Sequence, residues 1–143
     1  MRIMGLDYGS RTVGVAVTDP LGLTAQPLET IVRKEENKLR RTCARIETLV
    51  REMDVGLLVV GLPLHMDGSE GQRAELCRLF GEMLSRRTGL PVVYQDERLT
   101  TAEAEEILRE TGYDKHHHKK VIDQVAASLI LKSYLEGWEQ KNG

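Results

Sequence analysis

Residues 2–19, RIMGLDYGSRTVGVAVTD, contain two short runs of apolar and β-branched residues with a polar turn between them. Gly9 lies in that turn, and two such runs joined by a glycine-containing turn are typical of a β-hairpin. A third run, residues 24–32, follows the turn signal DPLG and can continue the sheet as an antiparallel meander. Pro27 lies inside this run, which predicts an edge strand or a strand with a break.

The middle of the chain alternates between helical and strand-like patterns. Apolar residues recur at helical spacing from 35 to 54, and the apolar run VGLLVVG that follows is strand-like and ends at Gly61. The spacing of Ser69 and Gln72 predicts a capping box at the start of a second helix, which ends near Gly89. We expect this helix to carry four apolar side chains inward, those of Leu76, Leu79, Phe80 and Met83.

The last third of the chain continues the alternation. LPVVYQD, residues 90–96, predicts a fifth strand, Thr100 is the expected N-cap of the next helix, and a long helix is expected over 119–138. The whole order predicts an α/β fold with a five-stranded mixed sheet, a three-strand antiparallel meander plus two parallel strands, and helices on both faces. Open sheets of this kind place their functional sites outside the carboxyl ends of their parallel strands.

Size and composition limit the classes of function. The 143 residues suffice for one domain, 1–143, and are too few for two ordinary ones. No apolar run approaches the roughly 20 residues that span a bilayer, so we expect a cytoplasmic protein without a membrane partner. The formal charge of −2 means that a nucleic acid would have to be bound by local positive patches. Cys43 and Cys77 lack partners at metal-ligand spacing and are expected to be buried, reduced thiols.

Three acidic residues stand where the patterns predict apolar surroundings. Asp7 ends the first strand, Glu97 ends the fifth, and Asp123 lies early in the last helix. Two of them have an ordinary explanation, since Asp123 can pair with Lys119 or Lys120 and Asp7 can accept hydrogen bonds from the hairpin amides. Gathered at one sheet edge, the three carboxylates would repel one another, and a divalent cation such as Mg²⁺ or Mn²⁺ would relieve that repulsion. Such ions can activate water for phosphodiester cleavage.

Four segments occur in this order: LDYGSRTVGVAVTDPLGLTAQPL at 6–28, VVGLPLHMDGSEG at 59–71, VVYQDERLTTAEAE at 92–105 and KKVIDQVAASLIL at 119–131. Together they closely resemble the YqgF family, whose members are described as pre-16S ribosomal RNA nucleases and as Holliday-junction-resolvase-like proteins. The similarity covers essentially the whole chain. It implies a ribonuclease-H-like fold, a metal-dependent nuclease site and a role in maturing the 5′ end of pre-16S rRNA, with a pre-ribosomal particle as a further partner.

The resemblance also implies roles for particular residues. The family's catalytic and metal-binding acids fall on Asp7, Glu97 and Asp123, and three carboxylates fit one tightly held ion, with a second completed by the substrate phosphate. Five residues are expected to contact nucleic acid: Arg11, Gly61, His65, Arg98 and Lys119. The glycines of the loop 61–71 would allow a nucleic-acid backbone to approach closely.

Several positions keep more than one interpretation. Thr12 and His65 depart from the family pattern, which has a basic residue and asparagine there, and neither is expected to touch the three acids. Arg98 could bridge to a neighbouring acid or clamp the scissile phosphate. The segment DKHHHKK, 114–120, could be an exposed loop, a phosphate contact or a metal site, and RKEENKLRR, 33–41, could be a solvated helix face or an RNA groove.

Other functions also remain open. A DNA-junction resolvase would need a two-fold dimer, and the absence of a dimerisation stripe favours a monomer or a weak homodimer. DYGSRTVGVAV resembles the phosphate-binding hairpin of the actin, heat-shock-chaperone and sugar-kinase group, whose members close two lobes around a nucleotide, whereas this chain has residues for one lobe. A nucleic-acid-binding module with little cleavage activity is the remaining alternative. Neighbouring strand residues face opposite sides of a sheet, so we expect Glu97 in the site and Asp96 in a structural role.

Overall fold

The structure is a computed structural model that describes residues 1–97, 104, 106–107, 109–110 and 115–142. In the last of these stretches, side chains are described from 121 to 137. The described residues form five strands and at least three helices. The strands are β1 Arg2–Tyr8, β2 Thr12–Thr18, β3 Ala25–Val32, β4 Val55–Leu62 and β5 Val92–Asp96. The helices with described bounds are α1 Arg40–Glu52, α2 Gln72–Thr88 and α3 Lys115–Asn142.

The strands form one mixed sheet in the order β3-β2-β1-β4-β5. β1 pairs antiparallel with β2, β2 pairs antiparallel with β3, and the pairs β1–β4 and β4–β5 are parallel. The predicted meander with two added parallel strands is therefore confirmed. Because β1, β4 and β5 run in the same direction, their last residues, Tyr8, Leu62 and Asp96, lie at one edge of the sheet.

β3 is an edge strand with a bulge, and Pro27 explains both features. The register of β2 and β3 shifts between Val15 and Ala16, and Ala16 pairs with Pro27. Proline lacks the N–H that a central strand must donate, so it is tolerated at an edge and beside a bulge. Of the two alternatives predicted from Pro27, the edge strand is confirmed.

Helices cover both faces of the sheet, as predicted. Met4, Leu6 and Tyr8 of β1 point into a core shared with α1 and α2, which includes Phe80. The opposite face of the sheet packs against α3 through a smaller cluster formed by Ala16, Val59, Ala127, Ile130 and Leu131. Successive side chains of a strand point to opposite faces of the sheet, so alternate residues of each strand contribute to the two cores.

The two cysteines lie on the α1 and α2 side of the sheet, as free and buried thiols. Burial raises the pKa of the Cys77 thiol to about 12, which keeps it protonated. The prediction of reduced, buried thiols is confirmed.

The starts of both predicted central helices are corrected. α1 begins at Arg40 rather than at residue 35, because residues 33–39 form an irregular turn. Within that turn Arg33 is only 7% exposed, and its Nε donates to the Glu36 carbonyl oxygen. The predicted capping box is wrong, since Ser69 donates to Asp67 at 2.6 Å and the N-cap of α2 is Gly71, without a side-chain cap.

The buried face of α2 differs in part from the prediction. Phe80 is buried, and Leu76 and Met83 pack against the core. Leu79 is 51% exposed, so its predicted inward position is wrong. The helix ends as expected, with Gly89 in the left-handed conformation at φ 74° after Thr88.

α3 lies close against the sheet because two strand glycines leave room for it. A Cβ at Gly5 would lie 2.9 Å from the carbonyl oxygen of Ala127 and 2.9 Å from Cβ of Leu131. A Cβ at Gly14 would overlap the carbonyl group of Asp123. This close approach brings Asp123 of α3 to the sheet.

Several expectations concern residues outside the described part of the chain. They include the N-cap Thr100, Arg98, and the side chains of Lys119 and the neighbouring histidines. Of the helix expected after Thr100, residues 104, 106–107 and 109–110 are described and are helical. No helix among the described residues is both long and apolar enough to cross a membrane.

Replacing Gly14 with alanine tests the close approach of α3. The added methyl group would collide with backbone of α3, so we expect Gly14→Ala to lower the free energy of unfolding by roughly 1–3 kcal/mol. Gly137→Ala is the control, because nothing lies within 4 Å of a Cβ at this α3 position. The control should raise stability by up to about 1 kcal/mol, since alanine favours helices over glycine. Urea denaturation measures both, and a Gly14→Ala protein as stable as the parent would contradict the packing.

Candidate active site

Asp7 and Glu97 lie at the edge of the sheet where the parallel strands end. Asp7 is the second-last residue of β1, and Glu97 directly follows β5. The N–H of Glu97 donates to the Leu62 carbonyl oxygen at 3.1 Å, which continues the β4–β5 ladder by one residue. Since neighbouring residues alternate, Glu97 lies on the α3 face with Val93, and Asp96 lies on the opposite face with Tyr94.

The carboxyl groups of Asp7 and Glu97 are joined by a hydrogen bond. They belong to β1 and to the end of β5, with β4 between them. Gly61 of β4 leaves the necessary space, because a Cβ there would lie 2.8 Å from Glu97 Oε2. Gly61 is itself buried, and its predicted contact with nucleic acid stays a prediction. Its lack of a side chain makes room for Glu97 and for the side chain of Ile130.

Burial shifts the protonation of both acids. The pKa of Asp7 is raised to about 6, chiefly by burial, and the negative charge of Asp123 contributes to this rise. Burial also raises the pKa of Glu97 to about 9, with the negative charge of Asp7 as the second cause. Their hydrogen bond lowers the pKa of Asp7 and raises that of Glu97, so the two carboxyl groups titrate as a coupled pair. At neutral pH the pair shares one proton.

Asp123 lies near this pair but is held by another residue. Thr12 Oγ1 donates to Asp123 Oδ2 at 2.7 Å, so the expectation that Thr12 touches none of the acids is wrong. The bond forms because Thr12 and Gly14 share one face of β2, and α3 packs on that face with Asp123 over Gly14. Within the described ranges no three histidine, cysteine or acidic side chains lie close enough to hold one metal ion.

The site nevertheless has the chemistry that a hard divalent cation requires. Asp7 and Glu97 present adjacent carboxylate oxygens, the donors that such ions prefer. A cation would also favour ionisation of both groups, which burial and their mutual repulsion oppose. Asp123 is the third carboxylate within electrostatic reach of Asp7. These are the described side chains that could hold such an ion.

A cavity of about 440 Å³ opens in front of the acid pair. Its described lining consists of Asp7, Tyr8, Gly9, Ser10, Pro63, Leu64, Arg73 and Glu97. Arg73 is the one basic residue in that described lining, and its positive charge lowers the pKa of both Asp7 and Glu97. The cavity thus combines two acids and one guanidinium at the carboxyl ends of parallel strands.

Arg11 and His65 lie outside the lining of this cavity. Arg11 is exposed in the β1–β2 turn, and its carbonyl oxygen accepts from the Arg33 N–H at 2.8 Å. His65 is exposed in the β4–α2 loop, where its N–H donates to the Ser69 carbonyl oxygen at 2.8 Å. Their predicted contacts with nucleic acid stay predictions.

Arg73 was absent from the residues predicted for the site. One sequence signal points to it, because Arg73 follows the β4 loop directly and lies in the first turn of α2. Helix N-termini at the carboxyl ends of parallel strands are favoured places for anions. Because the predicted start of α2 was wrong, Arg73 was not recognised as a residue near the N-terminus of this helix.

Replacing Glu97 with glutamine tests the shared proton through stability. A carboxyl group whose pKa is raised by folding stabilises the fold fully below its unfolded pKa, about 4.3 for glutamate. That contribution is lost as the pH rises toward about 9, the pKa of Glu97 in the folded protein. Without metal, we expect the parent to lose stability across this range and Glu97→Gln to be more stable at mildly alkaline pH, by roughly 1–2 kcal/mol.

Thermal unfolding at a series of pH values, in the presence of a chelator, measures this effect. Glu82→Gln is the control, because Glu82 is an exposed residue of α2 and the change removes the same charge. It should follow the pH dependence of the parent. A Glu97→Gln protein that loses stability with rising pH as steeply as the parent would contradict the shared proton.

A family model described as "RuvX: Holliday junction resolvase" matches residues 1–137 of the chain. A protein of Lachnospira eligens named "Putative pre-16S rRNA nuclease" is 60% identical over 136 residues, which are 95% of this chain and 97% of that protein. A protein of Agathobacter rectalis with the same name is 51% identical over 136 residues, 95% of each chain.

Solved structures show the same architecture at low sequence identity. Thermus thermophilus RuvC in complex with a Holliday junction substrate superposes with a TM-score of 0.61 at 16% identity, over 96% of each chain. The Fowlpox virus resolvase in complex with Holliday junction DNA has a TM-score of 0.59 at 14% identity, over 96% of this chain and 99% of that one. These similarities confirm the predicted ribonuclease-H-like fold.

Proposed function

We propose that this chain, which belongs to the RuvX family of Holliday junction resolvases, is a metal-dependent nuclease that matures the 5′ end of pre-16S rRNA. Family membership makes the chain a nucleic-acid-binding, phosphodiester-cleaving hydrolase. The name shared by relatives that are 51–60% identical supports the RNA substrate. The observation that carries the proposal is the contact between Asp7 and Glu97 in a cavity that also holds Arg73. We place the activity in the cytoplasm, with the whole chain as one catalytic domain.

Mg²⁺ or Mn²⁺ is the cofactor that we propose, with Asp7 and Glu97 as its ligands and Asp123 as the third acid of the site. When bound, such an ion supplies Lewis-acid stabilisation of charge at phosphorus and lowers the pKa of water. The chain contributes fixed geometry, because backbone ladders orient Asp7 in β1 and Glu97 beside Leu62. Thr12 orients Asp123 by its hydrogen bond. Support of this kind around the ligands of a metal site typically raises affinity or activity about 10–100-fold.

The substrate would reach the acids through the cavity, past the β1–β2 turn. Gly9 and Ser10 line this entrance, and Arg11 in the same turn is exposed beside it. We propose Arg11 as a contact for a backbone phosphate, together with Arg98 and Lys119, whose side chains lie outside the described residues. His65 would contact the nucleic acid from the β4–α2 loop. Electrostatic contacts of this kind weaken steeply with salt.

A DNA-junction resolvase is the second candidate. The description of the matching family names this activity, and the fold is that of Thermus thermophilus RuvC. Symmetric cleavage of a junction would require a two-fold dimer. We propose a monomer or weak homodimer that acts on RNA, with a pre-ribosomal particle as its partner, because the most similar relatives reported above carry the rRNA name.

A cleavage assay with three variants tests the proposed function. Pure protein is incubated with Mg²⁺ or Mn²⁺ and either a pre-16S rRNA fragment or a four-way DNA junction. We expect metal-dependent cleavage of the RNA, lowered at least about a hundredfold by Asp7→Asn and by Glu97→Gln. Asp96→Asn is the matched control, because Asp96 is the adjacent acid on the opposite face of β5. It should retain cleavage and alter mainly stability.

The outcomes separate the candidates. Cleavage that is unchanged in Asp7→Asn would come from a contaminating nuclease and would refute the proposal. Cleavage of the DNA junction alone would favour the resolvase. Loss of activity in Asp96→Asn with retention in Glu97→Gln would show that the other acid faces the site.

A further inference from the structure

We propose that Arg73 binds a backbone phosphate of the nucleic acid in the cavity in front of Asp7 and Glu97, and that Glu36 occupies Arg73 until that phosphate displaces it. The inference rests on the proposed nuclease function and names a substrate-binding residue for it. Neither residue was among those predicted for the site from the sequence.

The position of Arg73 meets the needs of a phosphate ligand. Its side chain lines the cavity with both acids and is 40% exposed, so a substrate can reach it. An arginine offers a planar fork of N–H donors that matches two phosphate oxygens. The acids of the site repel a polyanion, and Arg73 is the described cation in the lining that offsets this repulsion.

The guanidinium of Arg73 is oriented by an aromatic ring. Its Cζ lies 5.5 Å from the centroid of the Tyr8 ring, and its Nη2 donates to the Tyr8 carbonyl oxygen at 3.4 Å. Tyr8 stacks in turn on Phe80, with 4.4 Å between ring centroids. Such contacts restrict the arginine side chain before a ligand arrives, so less entropy is lost on binding.

Arg33 is the buried counterpart of Arg73 and builds the surroundings of Glu36. Its guanidinium lies 4.8 Å from the Tyr8 ring centroid, and its Nη2 donates to the Gly9 carbonyl oxygen at 2.6 Å. Its Nε donates to the carbonyl oxygen of Glu36 at 3.2 Å. Arg33 thereby fixes the backbone of Glu36 beside the cavity, while the side chain of Glu36 extends to Arg73.

The pair of Glu36 and Arg73 is suited to exchange. The Glu36 carboxylate accepts a hydrogen bond from Arg73 Nη1, and its side chain is 41% exposed. Ion pairs as exposed as this one contribute only about 0–1 kcal/mol to stability. A phosphodiester anion can therefore replace the carboxylate at small cost. Glu36 then acts as a placeholder that competes with the substrate.

The same helix offers a matched control pair. Arg78 of α2 bonds Glu70 at 2.7 Å, and its Cζ lies 4.8 Å from the centroid of the Tyr94 ring. The side chains of Arg78 and Glu70 are 43% and 44% exposed, close to the values for Arg73 and Glu36. Neither lines the cavity with the acids. Both pairs thus join an arginine of α2 to a glutamate at similar exposure, but only Arg73 lines the cavity with the acids.

Binding of nucleic acid to cleavage-deficient protein tests the inference. Fluorescence anisotropy is used to measure the dissociation constants of a labelled pre-16S rRNA fragment and a four-way DNA junction, with Mg²⁺ and the Glu97→Gln change in every protein. We expect Arg73→Ala to weaken binding about tenfold or more, and Arg73→Lys to weaken it less. In Arg73→Ala, the slope of the logarithm of the binding constant against the logarithm of the salt concentration should become less steep by about one, because one phosphate contact is lost.

Glu36→Gln should have the opposite effect, because it removes the competing carboxylate. We expect it to tighten binding several-fold, while Arg78→Ala and Glu70→Gln change the dissociation constant less than about twofold. This opposition of sign separates a phosphate ligand from a structural ion pair, in which loss of either partner would have similar effects. Thermal unfolding of each variant checks that it is folded.

Two results would overturn the inference. If the Arg73 variants bind as tightly as their parent, or if Arg73→Ala and Glu36→Gln shift binding in the same direction, the pair is structural and the inference fails alone. If the parent binds neither nucleic acid, the proposed function fails, and the inference that rests on it fails as well.

Discussion

The carboxyl groups of Asp7 and Glu97 meet where β1 and β5 end, and burial there opposes a second negative charge. The sheet order creates this contact, because β4 lies between the two strands and presents Gly61 where a side chain would push Glu97 away. The shared proton follows from the same placement, since two buried carboxylates this close cannot both ionise easily. The strand order and Gly61 thus hold two buried carboxyl groups in contact, and either a proton or a cation must balance their negative charge.

The other parts of the site adjust the charge around this contact. α3 approaches the sheet over Gly14, and Thr12 then holds Asp123 near the pair. Arg73 supplies the opposite charge from α2, on the cavity side. The site therefore combines acids for a proposed cation with a guanidinium for a proposed phosphate, as hydrolysis of a phosphodiester requires.

The sequence predicted the five strands, the antiparallel meander and the two parallel strands, because apolar runs and side-chain alternation are local signals. It could not predict that Thr12 bonds Asp123, 111 residues away, or that Arg73 bonds Glu36, 37 residues away, since both bonds depend on how helices dock. The starts of α1 and α2 were misplaced for the same reason. Residues 33–39 are charged and helix-compatible, but Arg33 and Arg73 hold Glu36 in an irregular turn.

If Asp7 and Glu97 hold the proposed divalent cation, the ion has to displace the proton that the two carboxyl groups share. Calorimetric titration of metal-free protein with Mn²⁺ at neutral pH, in two buffers of different ionisation enthalpy, measures the protons released for each ion bound. We expect release of about one proton from the parent protein and none from Glu97→Gln. Mn²⁺ binding without proton release, or equal release from the variant, would contradict it.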